Sequence, residues 1–178
     1  MRNVACLGAI ILFALPLPGA DTATAPQPTP QGCVKRLFKK FCLGASKATL
    51  PPGGRQRDRI VMFASPSSDE YACEIVDGRI ATVLRLTRLP SWLKYRAIEG
   101  QLEATYGPGL DTSQFPEYSE TDAAREVAIF LEKGEASHVW KPEGFFVRLS
   151  WGNRENISLA YAHNELQQRE SKRDEPEL

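Results

Sequence analysis

The chain has 178 residues, 42% of them hydrophobic and 25% charged, and its formal net charge is zero. Those proportions belong to an ordinary globular protein and exclude a low-complexity or wholly disordered chain. A neutral total also removes the basic footprint expected of a nucleic-acid-binding protein.

Residues 1–25 read as a cleavable secretory signal. Arg2 supplies the positive start, and the apolar run from Val4 to Leu17 is short for a bilayer span. Ala23-Thr24-Ala25 fits a small-x-small cleavage site, which places the mature start at Pro26. Pro16, Pro18 and Asp21 interrupt the run and argue against an uncleaved anchor. The mature chain is therefore expected in the periplasm or outside the cell, with no transmembrane span. Residues 26–32 form a Pro-rich spacer of polyproline character.

Between Cys33 and Cys42, the residues Val34, Leu37, Phe38 and Phe41 recur at i, i+3, i+4, i+7. That spacing predicts a short N-terminal amphipathic helix whose stripe packs on the rest of the fold. Lys35, Arg36, Lys39 and Lys40 lie off the stripe and are candidates to meet a protein partner or an anionic surface. Leu50-Pro51-Pro52-Gly53-Gly54 ends regular structure, and residues 55–59 read as a polar link. Ile60 to Ala64 is a short apolar strand, and Ser65 to Asp69 a turn.

The most legible stretch is Tyr71–Gly109. Two β-rich runs flank Asp77-Gly78, the signature of a type I′ hairpin, whose turn needs positive φ at both central residues. Strict alternation puts Ile80, Thr82, Leu84 and Leu86 on one face of the second strand, and this face is expected to receive the next helix. That helix begins after Ser91, a good N-cap, and carries Trp92, Tyr95, Ile98, Leu102 and Tyr106 at helical spacing. Lys94, Arg96, Glu99, Gln101 and Glu103 are left for solvent, and Gly107-Pro108 stops the helix. Gly100 inside it either admits a close neighbour or is simply tolerated.

Residues 110–120 read as a loop. Asp122 can cap a second helix running to about Lys133, with a strand over 127–131 as the alternative. Residues 137–163 alternate as a three-strand meander. Phe145, Val147, Leu149 and Trp151 oppose Phe146, Arg148 and Ser150, and Ile157, Leu159, Tyr161 and His163 oppose small residues. Phe146 and Arg148 thus stand on the outward side and are further partner-binding candidates. The tail 164–178 is charged and reads as a frayed helix end or disordered. Cations dominate 33–60 and carboxylates 99–135, either as mutually attracting blocks or as two solvated faces.

Once the leader is removed, Cys33, Cys42 and Cys73 remain, and an oxidising compartment favours a disulfide. If Cys33 and Cys42 share one helix they stand about 13 Å apart and cannot pair. Cys42–Cys73 is then the expected bond, with Cys33–Cys73 as its rival. His138 and His163 are the only histidines, and neither they nor the cysteines show catalytic or metal-binding spacing. No catalytic residue, cofactor or metal is implied.

The expectation is one α+β domain over 33–163. Its antiparallel sheet has about five to six strands, with one principal helix packed on one face and a short N-terminal amphipathic helix. The expected function is that of a small exported, non-enzymatic binding or accessory protein. It would act through the outer sheet face or the basic segment. Two alternatives are a Cys/His-dependent exported enzyme and a peripheral membrane-surface protein using the basic 33–42 helix.

Overall fold

The computed structural model describes residues 29–65 and 69–174. The signal reading of 1–25, the first residues of the spacer, the centre of the 65–69 turn and residues 175–178 lie outside them.

The chain is α+β. Its main sheet is wholly antiparallel, with eight strands in the order β3-β4-β5-β6-β10-β9-β8-β7. The six strands expected from the sequence form its body: β4 (Ile60–Ala64), β5 (Asp69–Val76), β6 (Arg79–Arg88), β8 (Ala136–Trp140), β9 (Phe145–Trp151) and β10 (Asn156–His163). The additional two are the edges, β3 (Arg55–Arg57) and β7 (Leu110–Asp111). Both are very short and polar or exposed, a composition that discourages pairing with another chain and hides the strands from a reading by apolar alternation. Two meanders, β3–β6 and β8–β10, meet where β6 pairs with β10 from Arg88↔Asn156 to Thr82↔Ala162.

The hairpin at Asp77-Gly78 forms as its sequence dictates, with φ of 52° and 72°. Alternation fails just after it. Glu74 faces Thr82 but Ile75 faces Ile80, so Ala81 is an extra residue, a β-bulge. The bulge separates Ile80 from Thr82, Leu84 and Leu86. Ile80 joins Val83 in the main core, whereas Thr82 turns to the opposite face and meets Gln167. The face expected to receive the helix is therefore corrected. The helix packs on the side of Val83, Leu149 and Leu159.

That helix, α1 (Trp92–Tyr106), is capped by Ser91 Oγ, which accepts from the Lys94 amide at 3.3 Å. Glu126 of α2 (Asp122–Phe130) accepts from the Trp92 amide at 2.9 Å, placing a carboxylate at the positive end of α1. Residues 122–130 are helical, with Thr121 rather than Asp122 as the cap. The inner layer over the sheet consists of α1, α2 and a two-stranded hairpin, β1 (Lys35–Leu37) and β2 (Phe41–Leu43).

This hairpin replaces the expected amphipathic helix. Leu37 and Phe41 are buried as the stripe required, but Val34 is 42% exposed. Short apolar runs of this kind do not distinguish helix from strand, and the paired strands Arg36↔Cys42 decide it. After β2, Gly44 and Ala45 pair with Ile80, taking the edge of β6 that β10 leaves free.

The outer face carries α3 (Asn164–Asp174), a helix where a frayed helix end or a disordered tail was expected. Leu166 anchors it among Val76 and Ala81, Gln167 donates to Glu74 and Thr82, and Glu170 pairs with Arg59. A single apolar anchor in a charged segment leaves little periodic signal.

Candidate functional site

Three places gather chemically capable side chains. The first is the β1–β2 hairpin. Its three-residue turn, Phe38–Lys40, closes with the Lys40 amide donating to Leu37 O at 3.0 Å, and the first two turn residues are left-handed, Phe38 at φ 49° and Lys39 at φ 59°. For a bulky residue that conformation costs about 1–2 kcal/mol. Ring contacts hold it: Phe38 lies 5.2 Å from Tyr71 and 5.8 Å from Tyr161 by centroid, and the Arg85 guanidinium stands 5.7 Å from the Phe38 ring. Lys35, Arg36, Lys39 and Lys40 come together here, with Lys35 over the Tyr106 ring and Lys40 over Tyr71. Between hairpin and α1 a cleft of about 350 Å³ opens.

The hairpin also corrects the disulfide. Cys33 is bonded to Cys42, with Cα atoms 5.3 Å apart. Cys73, expected in either Cys42–Cys73 or Cys33–Cys73, is a free thiol fully buried in the core. Excluding Cys33–Cys42 assumed a helix; a hairpin brings the two ends of the same segment face to face. Burial pushes the Cys73 thiol up to about 12, which keeps it protonated and unreactive.

The second place is the outer sheet face. Phe146 and Arg148, expected outward, are there together on β9. Phe146 is half-buried on a groove of about 620 Å³ that also involves Val139, Lys141, Pro142 and Asn164. A second recess of about 460 Å³ continues from Phe146 along α3 to Ser171 and Lys172. Arg148 is oriented by Ser137 Oγ at 3.3 Å and Glu135 at 2.9 Å. The basic hairpin and the Phe146 groove therefore lie on opposite faces of the sheet.

The third place is a buried polar chain between α1 and β8. Tyr95 Oη lies 3.1 Å from His138 Nδ1, His138 Nε2 lies 2.9 Å from Glu99, and Arg96 reaches the other Glu99 oxygen at 2.6 Å. Glu99, expected in solvent, is 3% exposed, because the third helical turn faces His138 and not water. Asp111 stands 4.0 Å from His138. Burial opposes the Asp111 charge, but hydrogen bonds from Ser113, helped by His138, prevail and hold its carboxyl low. Such a chain resembles a proton relay. Its terminal hydroxyl, however, is pushed up, first by burial and then by Glu99 and Asp111, so Tyr95 keeps its proton. The chain joins α1 to the sheet.

His163 is elsewhere, at the end of β10 against Gly44, where a Cβ would come within 2.8 Å of its ring. The two histidines are not brought together. Among the described residues no group of three or more His, Cys, Asp or Glu is arranged to hold a metal, and no helix is long and apolar enough to cross a membrane. No ion pair among them joins the 33–60 cations to the 99–135 carboxylates.

Compared with protein-family models, curated proteins and solved structures, the chain shows no match.

Arg85 and Tyr106 are cleft residues that sequence alone does not mark as a site, whereas Tyr161 is among the aromatics able to line a groove. One signal was available: Arg85 shares the parity of Val83 in β6, a cation on the face that the core occupies.

Proposed function

We propose that the protein is an exported, non-enzymatic binding protein that presents the outer face of its sheet to an acidic partner polypeptide. One observation carries this reading: beyond α3, the outer face of an eight-stranded sheet has no covering layer among the described residues, and Phe146 lies on a groove in it. The rung Met62-Ala72-Leu84-Ala160-Arg148-Val139 crosses this face and is mostly apolar, with Met62 46% exposed. Uncovered apolar surface of this kind marks interaction sites.

The charges on that face supply the sign of the partner. Its carboxylates Glu70, Glu74, Glu135 and Glu170 are each engaged by an arginine. Arg55 and Arg57 on the edge strand, and Lys141 and Lys172 at the grooves, remain in excess. The Cys33–Cys42 bond suits an oxidising compartment, in keeping with export. A Cys/His enzyme would lack its nucleophile, since two thiols are bonded and the third is buried. A membrane-surface role through 33–42 would lack most of its apolar stripe, since Leu37 and Phe41 are in the core and Phe38 packs against it.

The test is capture of partners from the native envelope or secretome by the mature protein. Phe146→Asp should abolish capture without lowering Tm, and binding should weaken as salt rises. Charge reversal at Lys35, Arg36, Lys39 and Lys40 should leave it intact. Loss on hairpin reversal with full retention by Phe146→Asp would move the interface to the other face and sink the proposal.

A further inference from the structure

We propose that the cleft between the β1–β2 hairpin and α1 is a binding site for a small amphipathic anion, a carboxylate or phosphate monoester on an apolar body. Two departures from ordinary protein construction converge on it. Arg85 places a guanidinium on the core face of a central strand, where charged groups are costly. Phe38 holds a left-handed backbone at the lip, with its ring against that guanidinium. Places where local rules are broken together are expected at functional or strained sites.

The lining supplies the ligand's chemistry. Lys35, Arg36 and Arg85 are its charged members, and no carboxylate lines the cleft, although the whole chain is neutral. Arg85 Nε is engaged by Thr87 Oγ1 at 3.2 Å and lies 3.7 Å from Asp69. Its two terminal nitrogens donate no hydrogen bond to a described residue. Arg36 is exposed and forms no ion pair among the described residues. These are donors for an anionic head. Leu37, Ile98, Leu102 and Leu159 form the apolar part of the walls, and Tyr106 and Tyr161 add ring faces and hydroxyls. A volume of about 350 Å³ is at the small end of ligand sites, roughly 300–1,000 Å³. It suits one acyl chain or one aromatic ring and is too small to enclose a two-chain lipid. This site is on the inner layer and does not depend on the outer-face reading.

Amide NMR titration of the mature protein with octanoate and with octyl phosphate tests the assignment, with octanol and acetate as controls. Saturable shifts are expected at Lys35–Phe38 and Gln101–Tyr106, and the tighter of the two anions names the head group. Octanol and acetate should each bind at least about tenfold more weakly, since each lacks one half of the recognition. Arg36→Ala, on an exposed position, should weaken octanoate about tenfold, as should Arg85→Gln. Gln101→Trp, also exposed, should block the cleft without entering the core. Phe146→Asp should leave octanoate binding unchanged, which separates this site from the outer face. Equal binding of octanol and octanoate, shifts centred on Phe146, or unchanged affinity in both Arg36→Ala and Gln101→Trp would overturn the assignment.

Discussion

His163 closes β10 with its ring in the core beside Gly44, 6% exposed, and its Nδ1 has no hydrogen-bond partner among the described residues. Burial above all, and the nearby Arg79 and Arg169 against Glu165, hold its basicity below the usual histidine range. The folded state therefore refuses a proton that the unfolded chain accepts near pH 6.5. Stability contributed by the neutral ring is complete above that value and is lost as pH falls through the window below it. Tm should drop between pH 7 and 5, and His163→Gln should flatten that part of the profile; a Gln variant with the wild-type pH dependence would assign the effect elsewhere. Nothing in the spacing of Glu99 marks it as buried, because a carboxylate at a helix position reads as solvent-facing until His138 arrives from β8, 39 residues later. Arg85 and Phe38 likewise look ordinary in sequence and become informative only when they meet.

Among the elements, α1 followed most closely from the sequence. Its cap, its apolar stripe and its Gly107 stop, at φ 80°, are local properties, and local chemistry decided them. Gly100 has open space where a Cβ would stand, so it is tolerated and admits no close neighbour. Gly100→Ala should raise stability by about 1 kcal/mol, a Tm gain of about 3 °C, read by thermal denaturation. An unchanged or lower Tm would mean that the helix interior is under a constraint not visible in its packing. By contrast, β6 depended on its neighbour. The bulge at Ala81 reverses the alternation of Ile80 against Thr82, and only the register with β5 reveals it. The edges β3 and β7 are too short and too exposed to show an apolar face that would announce them.

Across the whole molecule, one inner layer and one sheet share a core, and the disulfide staples the N-terminal hairpin of that layer to itself. Closing a loop of about ten residues contributes about 3 kcal/mol by restricting the unfolded chain. Non-reducing peptide mapping should recover Cys33 linked to Cys42 with Cys73 alkylated only after denaturation, and reduction should lower the unfolding free energy by about that amount, read by denaturant titration. A Cys73-containing linkage would refute the hairpin. The α+β class, the Asp77-Gly78 hairpin, α1, and the inward and outward faces of β9 and β10 follow from local sequence. Each of these is set by turn chemistry, capping or strict period two within a few residues. Long-range packing, by contrast, makes residues 33–42 a hairpin and Ala81 a bulge, brings Glu99 to His138, and lays 164–174 as a helix on the outer face. It also places the basic residues and Phe146 on opposite sides of one sheet. These outcomes depend on pairings between residues far apart in the chain, where short apolar runs and scattered charges carry no periodic signal of their own.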